Sequence, residues 1–113
     1  MRPLKFRAWV IDHKKFTSWE NAVRHDFAQA ILTQPDYFIP QQYTGLKDKN
    51  GVEIYEGDLL KNSESELIND IRFADGSFWL ENGLFANVLG GLNHDVEVIG
   101  NIYENPGLME KTA

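Results

Sequence analysis

Leu46-Lys-Asp-Lys-Asn-Gly-Val-Glu-Ile-Tyr-Glu-Gly-Asp-Leu-Leu60 decides the fold class. Within it, Asp48 opens a turn, Asn50 precedes Gly51, and Gly51 closes it, which are type I preferences with glycine free to take positive φ. A three-residue loop in that register sets Lys47 opposite Glu53 and Leu46 opposite Ile54, pairing opposite charges on one face and apolar groups on the other. A two-residue Asn50-Gly51 loop would instead set Asp48 against Glu53, two like charges. The longer loop is expected. Gly57 then permits a second tight turn, Asp58 closes it by accepting from nearby backbone amides, and a new apolar strand follows at Leu59.

The same grammar continues downstream. Asp75-Gly76 predicts a hairpin in which Phe73 faces Phe78 and Ile71 faces Leu80 on one side. Arg72 and Trp79 face each other on the opposite side, within reach of a cation–π contact. Asn82-Gly83 marks a third turn into Leu84–Val88, and Gly90-Gly91 through Asp95 reads as a loop. Glu97–Tyr103 reads as a last strand, with Gly100 a bulge or close-approach point.

Upstream, Lys5-Phe-Arg-Ala-Trp-Val10 alternates as a strand, with Phe6, Ala8 and Val10 on one face and Arg7 and Trp9 on the other. Lys15-Phe-Thr-Ser18 returns as its hairpin partner. Thr17 and Glu20 match a capping box, and Trp19, Val23, Phe27 and Ile31 recur at four-residue spacing, so a helix is expected up to Pro35. Short strands with glycine turns argue for a small barrel or sandwich, not a parallel α/β sheet.

Composition bounds the function. The chain has 113 residues, enough for one core, with 42% hydrophobic and 25% charged residues, which excludes the disordered class. Net charge is −6, so generic polyanion binding is disfavoured. Charge is uneven: residues 1–24 carry Arg2, Lys5, Arg7, Lys14, Lys15 and Arg24 against Asp12 and Glu20, a balance of +4, and the remainder stands at −10. With no cysteine there is no disulfide, thiolate zinc site or cysteine nucleophile. No membrane-length apolar run or signal-peptide pattern is seen, and the chain reads as cytosolic.

Catalytic and cofactor patterns are weak. His13, His25 and His94 are far apart, without metal-ligand spacing. Asp48-x-Asn50-Gly51 fails as a calcium loop, since Glu53 stands where the invariant glycine belongs and Leu59 stands at the twelfth position. No phosphate-cradling loop exists, and Ser18, Ser63, Ser65 and Ser77 lack a nucleophile-elbow context. A hydrolase built on His94 with Asp95 or Asp58 is the weakest reading. No enzyme, cofactor or metal is expected.

Three segments resemble the YopX family of bacteriophage and prophage proteins: Lys5-Phe-Arg-Ala-Trp9, Gln42 through Leu60, and Glu97-Val-Ile-Gly-Asn-Ile-Tyr-Glu-Asn-Pro106. The likeness runs nearly end to end, loosest from about Lys14 to Ile39. It implies a mainly β fold, a small SH3-like β-barrel with an N-terminal β-hairpin and short-helix extension, and it supplies no catalytic residues. Residues 1–39 are expected as a hairpin-and-helix lid, 42–103 as the barrel and 104–113 as a C-terminal tail. The expected function is a non-catalytic phage accessory protein of the host cytosol that binds another protein or itself. The candidate surface is Lys5, Arg7, Trp9, Tyr43, Tyr55 and Trp79. A nucleic-acid module using the basic N-terminal segment is the alternative.

Overall fold

The computed structural model describes residues 5–62, 67–81, 86–90 and 95–110. The chain is mainly β, with its strands in two antiparallel sheets. It divides into two compact units, residues 1–43 and 44–113. The sequence turns of Asn82-Gly83, the serines Ser63 and Ser65, and His94 lie outside the described residues.

In the first unit, β1 (Phe6–Val10) is the central strand. It pairs antiparallel with β2 (Lys15–Ser18), setting Trp9 against Phe16, and with the first half of β3 (Phe38–Lys47), setting Trp9 against Ile39. Alternation sorts its side chains as expected. Ala8, fully buried, packs with Ala22 and Ile31 and is ringed by Trp19, Phe27, Ala28 and Phe38. The Phe6 ring tilts onto Trp19 at 5.4 Å, and Phe27 stacks on Phe38 at 6.2 Å.

The expected single helix is two: α1 (Trp19–Arg24) and α2 (Ala28–Thr33). Asp26 between them adopts φ +61°, a left-handed conformation that cannot continue a right-handed helix. The cap also differs from the sequence expectation. Ser18, not Thr17, accepts the Asn21 N–H at 3.1 Å, while Thr17 Oγ1 accepts from the Asn21 side chain. The break alters the apolar stripe: Ala22 takes the buried position and Val23, counted in the four-residue repeat, is 59% exposed.

In the second unit, the far half of β3 neighbours β4 (Glu53–Tyr55). Asp48 donates its N–H to Val52 O at 2.8 Å and Gly51, at φ +82°, donates to Asp48 O at 3.0 Å. That is the three-residue loop, and it carries Lys47 opposite Glu53. The other sheet, a half-barrel, runs β8 (Ala86–Val88), β7 (Ser77–Glu81), β6 (Ile68–Ala74), β5 (Asp58–Asn62) and β9 (Val96–Asn101). The Asp75-Gly76 register is as read: Ile71 faces Leu80, Arg72 faces Trp79 and Phe73 faces Phe78. Asp75 and Gly76 both take positive φ, as a type I′ turn requires.

Ile54, Leu60, Ile71, Phe78, Leu80, Leu89 and Val96 form the core of this unit. Truncating such a residue, Leu60→Ala for instance, costs about 2–5 kcal/mol. Between β5 and β9 the register shifts, Leu59 facing Gly100 and Leu60 facing Val98, so one extra residue, Ile99, bulges beside Gly100. Within residues 104–113, expected as a tail, the short helix α3 (Gly107–Glu110) folds back toward β6. Among the described residues, no helix is long and apolar enough to cross a membrane.

Candidate functional site

Four of the six candidate surface residues share one face of the first unit's sheet. Lys5, just before β1, and Arg7 and Trp9 on it alternate to one side, and the pairing brings them beside Phe16 on β2 and Gln41 and Tyr43 on β3. Lys5 Nζ sits over the Tyr43 ring, 4.9 Å from its centroid. The Arg7 guanidinium lies 4.4 Å from the Phe16 centroid, and its Nε–H donates to Gln41 Oε1 at 3.0 Å. Trp9 meets Phe16 edge-on at 5.0 Å. The cations are thus spent on neighbouring rings, and Trp9 and Tyr43 are buried. This face is internally satisfied.

Tyr55 and Trp79 belong to the second unit. Tyr55, half-buried on β4, donates its hydroxyl to Glu53 Oε1 at 3.4 Å. Trp79 stands on β7, facing away from the core residues Phe78 and Leu80 that flank it. Its indole N–H donates to Ala74 O at 2.9 Å, which fixes the ring at the hairpin end. Arg72, opposite, directs Nε to Asp70 Oδ2 at 2.9 Å and a terminal nitrogen to Glu81 Oε1 at 3.2 Å. The Asp70 hydrogen bond, above all, holds the guanidinium more firmly in its charged form. Arg72, Phe73, Ala74, Asp75, Trp79 and Glu81 line an open groove of about 440 Å³. Phe73, in edge contact with Phe78 at 4.9 Å, is 48% exposed at its rim.

The acidic residues weighed for chemistry serve the turns. Asp58 is buried. Its Oδ2 accepts the Tyr55 N–H at 2.7 Å and its Oδ1 accepts from Asn101 Nδ2 at 3.3 Å. Gly57, at φ +86°, donates to Ile71 O and accepts from the Ile102 N–H, so the turn is tied on both sides. Asp48 accepts the N–H groups of Asn50 and Val52 on Oδ1 and that of Val98 on Oδ2. Burial pushes its carboxyl up, but those three backbone donors, with Lys49 nearby, outweigh it and hold the group below its ordinary value. Asp95 is exposed, as are His13 and His25. Among the described residues, no three His, Asp or Glu side chains converge as a metal site.

The sequence singles out Trp79 and Arg72 but not the groove they frame with Asp75 and Glu81. The signal available was the hairpin register itself, which puts positions 70, 72, 79 and 81 on one face.

The YopX protein family profile matches residues 5–110. The chain is similar to protein EF1440 from Enterococcus faecalis, at 26% identity and a TM-score of 0.70, over 96% of this chain and 99% of that one. It also shares the fold of protein yopX from Bacillus subtilis, at 18% identity and a TM-score of 0.56, over 96% and 97% of the two chains. No curated protein matches the chain.

Proposed function

The chain belongs to the YopX protein family, and from that premise we propose that it is a non-catalytic phage or prophage accessory protein of the bacterial cytosol. It works by binding another protein, or copies of itself, through the open face of the β6–β7 hairpin. The observation that carries this reading is the groove at Trp79, lined by an anchored, partly exposed indole with the half-exposed Phe73 ring at its margin and charged neighbours around it. Aromatic anchors beside an arginine and a charged rim are the composition of binding hot spots. The indole is already hydrogen-bonded, so a partner meets a fixed apolar surface and loses little side-chain freedom on binding.

A nucleic-acid role finds less support. Two of the basic N-terminal residues invoked for it, Lys5 and Arg7, cover Tyr43 and Phe16. The groove at Trp79 has an excess of carboxylates, which phosphates would oppose.

The test is light scattering across a concentration series, with affinity capture from bacterial lysate, on the natural chain and on Phe73→Ser and Trp79→Ala. Self-association or a captured protein that both variants lose supports the reading. A strict monomer that retains nothing overturns it.

A further inference from the structure

The β6–β7 groove also carries a charge preference, and this inference rests on the reading just given. Two carboxylates, Asp75 and Glu81, line it with one cation, Arg72, and a third, Asp70, pairs with that cation from behind. Arg72 is engaged by two of them, through Asp70 Oδ2 and Glu81 Oε1. The second oxygen of Asp70 is buried and has no hydrogen-bond donor. Asp75 is exposed at the turn. The balance of these four groups is −2, in a protein whose own net charge is −6. Into that field Trp79 presents a ring whose N–H is committed to Ala74 O, leaving the π-surface as what the indole offers a ligand.

We propose that this groove takes a cationic side chain, the lysine or arginine of a basic segment on a partner protein. The aliphatic stem lies on Trp79 and against Ala74, the head lies toward Asp75 and Glu81, and the Phe73 ring packs on the partner's flanking apolar residue. A cation over an indole is the strongest of the ring–cation pairings, and carboxylates at the rim steer a basic partner in and exclude an acidic one. An anionic ligand meets Arg72 already neutralised and a surplus of negative charge.

The probe is a hexa-arginine peptide, with hexaglutamate as control, titrated into the isotopically labelled full chain at low salt and followed by amide and indole NMR signals. The Trp79 indole signal is assigned from the Trp79→Phe variant. The expected result is saturable shifts confined to the Trp79 indole and the amides of residues 70–81, none with hexaglutamate, and loss on raising the salt. The Asp75→Asn/Glu81→Gln double variant weakens the affinity by about tenfold, and Asp75→Asn alone, at an exposed turn position, weakens it without touching the Arg72 pair. Absence of localised shifts, or equal affinity in the double variant, overturns the inference. Shifts that depend on chain concentration without peptide also overturn it, because the occupant is then a second copy. If capture of a partner survives Asp75→Asn/Glu81→Gln but is lost in Trp79→Ala, the charge preference fails and the interface stands. If neither variant alters capture, the interface fails as well.

Discussion

The carboxylate of Asp48, on the turn between β3 and β4, accepts the backbone N–H of Val98 on β9 at 2.9 Å, fifty residues along the chain. The other oxygen closes the turn on Asn50 and Val52. Lys49 N–H donates to Val96 O and the Asn50 side chain donates to Glu97, so the whole loop is fastened to β9. One buried side chain therefore sets a local turn and a long-range strand contact together.

Replacing it is costly. Asp48→Ala leaves three backbone donors without their acceptor, and a loss of about 2–4 kcal/mol is expected. Chemical denaturation measures it. Asp48→Asn keeps one acceptor oxygen and falls between the two.

The same group gives the protein an acid limb. Its folded carboxyl holds a proton less tightly than the unfolded one, so protons favour unfolding. The contribution is complete above the unfolded value of about 3.9 and is lost as pH falls through the lower folded value. Thermal unfolding between about pH 5 and pH 2 is expected to show a steeper decline in the natural chain than in Asp48→Asn.

Gly100 is a packing requirement. A Cβ there would stand 2.7 Å from Asn105 Oδ1 and 3.0 Å from Leu108 Cδ1, and that same Asn105 oxygen accepts the Asn101 N–H. Gly100→Ala is expected to cost about 1–3 kcal/mol and to raise amide exchange at Asn101 and Asn105. Gly90→Ala, with open space around it, is the control and changes stability by less than about 0.5 kcal/mol.

Asp58 and Asn101 act as a unit. Each single alanine removes one end of a buried contact, at about 2–3 kcal/mol, whereas the double variant removes both and costs less than the sum. A double-mutant cycle by denaturation is expected to return a coupling of about 1 kcal/mol or more. Purely additive losses would mean that the 3.3 Å contact between them contributes nothing.

Much of this was legible in the chain because turn chemistry is local. Asp48 with Gly51, and Asp75 with Gly76, specify two hairpins and, in the second, the register of its pairs from Ile71 with Leu80 to Phe73 with Phe78. Alternation from Phe6 to Val10 likewise put Arg7 and Trp9 on one face, which the structure extends with Lys5 and with Tyr43 from β3. The helix break was hidden, since Asp26 in the left-handed region leaves no mark on a periodicity count. The Asp48–Val98 and Asp58–Asn101 bonds were equally invisible, because side-chain contacts across forty to fifty residues have no spacing to read. The groove at Trp79 needed the bonds to Ala74, Asp70 and Glu81 before its shape and charge took form.

If the chain works by contact through β6 and β7, that face is covered in its complex. Hydroxyl-radical footprinting of its side chains, alone and in the captured or self-associated complex, addresses it most directly. Oxidation of Phe73 and Trp79 is expected to fall sharply in the complex while that of Tyr37 and Tyr103, exposed elsewhere, is unchanged. Undiminished oxidation of Phe73 and Trp79, with protection at other positions, would place the contact surface elsewhere.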